Sequence, residues 1–150
     1  MKSVGIKLTL CLSMLIMLLT ACSGNELVGK WTSTVNQGDV KINIEYEFNS
    51  DGTMAQVVKM DSQGIGLATT VSVKGTYTFK DGVITYKVDP KNVKVEGLES
   101  LGIPKDQIAT IEEETRQQIA SRSVKIRDVS IKDGELKGNS DGMTVTLKKQ

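Results

Sequence analysis

Apolar and polar residues alternate with a period of two along much of this chain, and Asp-Gly pairs punctuate the alternating runs. Ile42, Ile44, Tyr46 and Phe48 interleave with Lys41, Asn43, Glu45 and Glu47, which sorts the two sets onto opposite faces of a strand. Asp-Gly occurs at 51–52, 81–82, 133–134 and 141–142. It suits a two-residue hairpin turn, because both central positions need positive φ and the turn's twist then matches that of the strands. Around Asp81-Gly82, pairing Lys80 with Val83 sets Phe79 opposite Ile84, Tyr77 opposite Tyr86 and Gly75 opposite Val88. Val71 and Val73 extend that face, while Thr76, Thr78 and Thr85 take the other. Around Asp133-Gly134, Ile131 meets Leu136 and Val129 meets Gly138. Asp141-Gly142 then sets Gly138 against Val145 and Leu136 against Leu147. The two turns agree on Leu136 and Gly138, which predicts a three-strand meander from about Val129 to Lys148.

At Asp51-Gly52 a two-residue turn would put Ile44 against Lys59. A three-residue loop, Ser50-Asp51-Gly52 with Gly52 left-handed, pairs Ile42 with Met60, Ile44 with Val58 and Phe48 with Met54, and leaves Gln56 as a mismatch opposite Tyr46. The longer loop keeps the apolar face intact. Parity slips between Val124-Ile126 and Val129-Ile131, which predicts a bulge near Arg127-Asp128. With Lys30–Val35 first, and with Asn92–Val95 as an extra candidate, the chain offers eight or nine strands. Such short, regular spacing argues for an antiparallel barrel or sandwich. One helix interrupts before the last three strands. Pro104 sits in the favoured first-turn position, and Ile108, Ile111, Thr115 and Ile119 follow at helical spacing. Glu112 is placed to pair with Arg116 at i,i+4. The stripe is narrow, so the helix lies on a surface. Leu98, Leu101 and Ile103, just before it, either plug a barrel end or cover an edge.

The first residues depart from this pattern. Lys2 and Lys7 flank the start of an uncharged apolar run, Leu8–Leu19, and small residues then lead to a cysteine in Leu19-Thr20-Ala21-Cys22. That order is a secretory signal, too short and wrongly flanked for a spanning helix. The last four residues resemble the lipobox of bacterial lipoproteins. The resemblance implies a signal peptide over 1–21, cleavage before Cys22, and a diacylglycerol on the Cys22 sulfur. Two acyl chains anchor stably where one would be marginal. The implied location is the cell envelope, on the outer face of the cytoplasmic membrane or in the outer membrane; Ser23 after the cysteine resembles the outer-membrane sorting pattern. Residues 22–26 are polar and form a tether, of which four residues reach at most roughly 14 Å.

Composition narrows the chemistry. Without residues 1–21 the 150-residue chain keeps 129, enough for one domain with a real core. Losing Lys2 and Lys7 takes the formal charge from +1 to −1, so there is no basic excess to hold nucleic acid. Cys11 leaves with the signal and Cys22 carries lipid, so residues 27–150 hold no disulfide. Histidine is absent. That removes Ser-His-Asp triads, Cys-His pairs and His-containing zinc sites.

Leu27-Val28-Gly29-Lys30-Trp31, Glu45–Thr53 and Gly75-Thr76-Tyr77-Thr78-Phe79 together resemble the small lipocalin-like domains of bacterial lipoproteins. The match covers most of residues 27–89. Lipocalins carry Gly-x-Trp in the first strand, and the resemblance implies that Trp31 closes the barrel base, with Arg122 or Arg127 as a candidate cation to stack on it. It also implies a lipocalin-like, calycin-type β domain over 27–150. Trp31 reads as well as a core anchor, which needs no ligand.

Two functions remain open from the residues. The first is a membrane-anchored module binding a small apolar ligand, for which Tyr46, Tyr77, Phe79 and Tyr86 supply an aromatic face. The same four also read as core filling. The second is a protein-interaction or accessory module of the envelope without a small-molecule ligand, with Leu98, Leu101 and Ile103 as contacts. Catalysis is not expected. Glu45/Glu47 fall on a solvated strand face, Asp128/Asp133 flank a turn, and neither is a pair whose environments would drive two pKa values apart. Asn139–Gly142 lacks the spaced acids and closing glutamate of a calcium loop, and Gly64-Ile65-Gly66 is followed by no phosphate-binding helix. No cofactor or metal is expected.

Overall fold

The computed structural model describes residues 26–62, 64 and 66–150; the expected signal and most of the tether, Cys22 included, lie outside them. Eight strands follow in order: β1 (Gly29–Gln37), β2 (Val40–Phe48), β3 (Thr53–Ser62), β4 (Leu67–Lys80), β5 (Val83–Glu96), β6 (Ser123–Lys132), β7 (Glu135–Ser140) and β8 (Met143–Lys149). A short 3-10 turn, Leu98–Leu101, and one helix, α1 (Lys105–Ala120), separate β5 from β6. Each strand pairs antiparallel with the next, and β8 returns to β1 to close a barrel. Among the described residues, the core cluster of this closed sheet runs from Leu27 to Leu147.

Turn chemistry sets the register. Asp81, Asp133 and Asp141 have φ near +50°, and the glycine after each is also positive, as a two-residue turn of this hand requires. The pairs Phe79–Ile84, Tyr77–Tyr86, Gly75–Val88, Ile131–Leu136, Gly138–Val145 and Leu136–Leu147 all form. The first hairpin uses the three-residue loop. Asn49 N–H bonds Thr53 O at 2.9 Å, Gly52 has φ +83°, and Ile42–Met60, Ile44–Val58 and Phe48–Met54 are partners.

Two bulges adjust the closure. In β6 the register steps from Arg127–Asn139 to Ser130–Lys137, with Asp128 at φ +54°. Asp128 and Val129 therefore share the place opposite Gly138, and Val129 does not pair with it directly as the simple register had it. In β5, Val88 pairs with Gly75 but Val93 with Val73, so residues 89–92 bulge against Lys74. Asn92–Val95 is thus the far end of β5 and not a ninth strand. Pro90 has no N–H to give a ladder, and the Asp89 carboxylate takes up the Lys91 N–H at 2.9 Å.

The barrel has unlike ends. One gathers the loops at 49–52, 81–82 and 133–134. Trp31, Phe48, Leu27, Met54, Ile84, Ile126, Leu136 and Leu147 are fully buried, and by register most lie toward this end. At the other end Ile44 and Val71 are only half-buried. Val35 and Met143 share strand parity with buried Trp31 and Leu147, yet they are 39% and 69% exposed. The sheet is short of partners there: β5 pairs with β6 only from Ile84 to Lys87, and α1 packs against β5. Pro104 caps α1 from outside the first turn, its carbonyl accepting from Gln107 and Ile108. Arg116 pairs with Glu113 at 2.6 Å, not with Glu112. Glu113 is exposed and also accepts from Gln117 at 3.0 Å, whereas Glu112 is half-buried.

Candidate functional site

At the packed end, Trp31 is fully buried and its indole N–H donates to the Leu27 carbonyl at 2.7 Å. It lies opposite Lys149 across the β1–β8 seam, and Lys149 Nζ stands 5.3 Å from its ring centroid, within cation–π range. Nζ also donates to the Glu26 carbonyl at 3.0 Å. The cation on Trp31 is therefore Lys149, and neither Arg122 nor Arg127 is in that position. A lysine at the last strand's end carries no signal of this role in sequence.

The four aromatics divide. Tyr46 stacks on Phe48 at 5.8 Å, and Tyr77 meets Phe48 edge-on at 4.9 Å. Tyr77 Oη donates to Asn49 O at 2.8 Å, close to the loop at 49–52. Tyr77 and Phe79 are half-buried against the core. Tyr86 packs edge-on to Tyr46 at 6.3 Å, and Gln56 Nε2 donates to Tyr46 Oη at 2.9 Å. Burial raises the pKa of both phenols; for Tyr86 the neighbouring Tyr46 and the Asp141 carboxylate add to it. Both stay neutral at ordinary pH.

Beside this polar trio lies a cavity of about 220 Å³. Val58, Val71, Val73, Val88 and Val124 form its apolar wall, and Gln56 and Tyr86 supply polar atoms. Ile119 near the end of α1 and Arg122 just after it complete the lining. Of the aromatics named from sequence, Tyr86 lines this space and Tyr46 touches it through its hydroxyl partner Gln56; Tyr77 and Phe79 do not line it. Gln56 and Arg122 are the residues that sequence reasoning missed. Gln56 was visible as the polar break in the inward series Met54–Gln56–Val58–Met60. Arg122 has no such mark, because its place depends on how α1 lies over the barrel.

Other features are less developed. A larger, open hollow of about 540 Å³ spans Asn36, Asp39, Lys41 and Asp61 at the β1–β2 turn, and its lining is mostly polar. Glu45 is exposed and pairs with Lys59 at 3.1 Å. Leu98 is buried and Ile103 half-buried; the side chain of Leu101 lies outside those described. Among the described residues no three His, Cys, Asp or Glu side chains converge on a metal-sized site, and no helix is long and apolar enough to cross a membrane.

No protein-family model and no curated sequence matches the chain. Among solved structures, it is similar to the crystal structure of an uncharacterized protein from Bacteroides eggerthii, at 17% identity over 82% of this chain and 98% of that one, with a TM-score of 0.42.

Proposed function

We propose that this chain is a lipid-anchored, lipocalin-like binding module of the cell envelope, which holds a small, largely apolar ligand and carries out no catalysis. The observation that supports the binding half is the uneven filling of the barrel. One end is packed solid around Trp31 and Phe48, while the other keeps a valine-walled cavity of about 220 Å³. A concave, mostly apolar space with a few convergent polar groups is the usual form of a small-molecule site. The anchoring half rests on Lys2, Lys7, the apolar run to Leu19 and the lipobox-like step to Cys22. Of the contacts considered for a protein-docking role, Leu98 is spent on packing.

Two measurements test the proposal. Cys22→Ser should abolish acylation and release the protein from washed membranes; a variant that stays acylated or membrane-bound overturns the anchor. Native mass spectrometry of the delipidated protein after exposure to an envelope extract should show a retained small molecule, and Val71→Phe should lose it. A protein that emerges empty, or a bound mass indifferent to Val71→Phe, overturns the ligand role.

A further inference from the structure

The barrel closes over only part of its last seam. β1 and β8 pair at Trp31–Lys149 and Thr32–Lys148, and their ladder ends there. Yet β1 stays paired with β2 as far as Gln37, and β8 with β7 back to Met143. Past Thr32, then, the two strands are edges held extended by their inner neighbours. The Gln150 N–H donates to the Lys30 carbonyl at 2.9 Å. By the two-residue period of an antiparallel ladder, the backbone groups of Thr34 and Asn36 also turn toward the seam. The Lys149 N–H donates away from it, to the Gly134 carbonyl at 2.7 Å, so those of Thr144 and Thr146 turn toward it. Among the described residues, none of these four has a backbone partner on that side.

Unpaired N–H and C=O groups template another strand, and sheet edges are ordinarily blunted against this by lysine, proline or inward-pointing charge. Neither edge has such a device. In a chain of which 25% is charged, Thr32–Gln37 and Met143–Leu147 contain no charged residue and no proline. Val35 and Met143, the large apolar side chains left exposed among the described residues, both border this parting. Backbone donors and acceptors at strand spacing, flanked by apolar side chains, match another extended backbone; an acyl chain carries no such groups. A second copy of this chain fits less well. Antiparallel pairing of β8 with its copy turns one barrel end over end, which under the anchoring proposed for Cys22 sends the two tethers in opposite directions.

We infer that the parted seam receives an uncharged, extended segment of a partner protein as an added strand, its backbone bonded to Thr144 and Thr146 of β8 and its inward side chains covering Val35 and Met143. This is independent of the cavity and its ligand.

The test uses the full chain in detergent and a capped peptide, Lys-Thr-Val-Ser-Val-Thr-Val-Thr-Lys, whose terminal lysines keep it soluble. Amide hydrogen exchange is followed residue by residue by NMR. Without peptide, the amides of Thr34, Asn36, Thr144 and Thr146 should exchange as fast as loop amides. With peptide in excess, those of Thr144 and Thr146 should slow about tenfold, and the same peptide N-methylated at alternate residues should leave them fast. Thr144→Pro deletes an N–H that the β7 ladder does not use, and should abolish the slowing at Thr146. Thr144→Lys, an exposed change, should do the same with the barrel intact, which covers a proline variant that melts early. Protection that grows with protein concentration in the absence of peptide assigns the edge to a second copy and overturns the partner segment. Unchanged exchange with peptide, equal protection by the N-methylated peptide, or protection that survives Thr144→Lys overturns strand addition.

Discussion

Gln56 and Tyr46 face each other across β2 and β3, and the amide of one donates to the phenol of the other at 2.9 Å. What reads in sequence as a polar mismatch in an apolar row is the partner that lets Tyr46 be buried. A buried hydroxyl without partners would lose about 1–3 kcal/mol to desolvation.

Gln56→Leu should therefore destabilise the barrel by about 1 kcal/mol, since Tyr46 loses its donor while the leucine adds apolar contact. Combined with Tyr46→Phe, the loss should fall short of the sum of the single losses by about 0.5–1.5 kcal/mol. Urea unfolding of the four proteins gives the coupling. Strict additivity would mean that the bond contributes nothing to stability.

Trp31→Phe should loosen the start of the chain more than the rest. It removes the donor to the Leu27 carbonyl, a bond of 2.7 Å in a dry setting, and the ring beneath Lys149. The expected loss is about 2–4 kcal/mol, from an orphaned buried carbonyl and lost aromatic volume. Hydrogen exchange should quicken first along β1, at its seam with β8. Uniform quickening through every strand would contradict a local role.

Two glycine substitutions should behave very differently. A Cβ on Gly75 would fall 1.9 Å from the Lys87 carbonyl oxygen in the neighbouring strand. Backbone has to move to admit it, so Gly75→Ala should cost more than about 3 kcal/mol or prevent folding. Gly142 has open space around it but φ +81°, so Gly142→Ala should cost only about 1–2 kcal/mol of backbone strain. Thermal melts of the two variants separate these causes. Similar melting points would contradict the close approach at β4–β5.

Alkaline pH should unfold the barrel through its tyrosines. Burial raises the folded-state pKa of Tyr46, Tyr77 and Tyr86. In each case the folded state holds the phenolic proton more tightly than the unfolded chain does. The resulting stability is complete below the unfolded value near 10 and is lost as pH climbs from there toward the folded values. Tyrosinate absorbance should therefore rise late and in step with loss of β-sheet circular dichroism. A smooth titration centred near 10 with the sheet intact would refute the burial of these phenols.

The hairpins were legible because two local signals coincide: period-two alternation and a dipeptide that tolerates positive φ. That pair of signals placed Tyr77 against Tyr86 and Leu136 against Leu147, and it singled out the longer loop at Gly52. The far half of β5 was not legible, because Pro90 interrupts the run and the bulge at 89–92 moves the inward positions from even to odd numbers. The ion pair on α1 went to Glu113 because helix rotation about the axis, set by packing on β5, decides which acid is solvated. Arg122 and Lys149 owe their placements to contacts with distant segments, and spacing along the chain does not encode those.

Lys149 clasps the Glu26 carbonyl, and Leu27 is sealed beneath Trp31. The chain thus leaves the barrel at its solid pole, on the side of the loop at 49–52. Under the anchoring proposed for Cys22, the hollow pole would then look outward into the aqueous compartment. The proposed ligand would then arrive from solution, with lateral entry from the leaflet blocked by the molecule's own base.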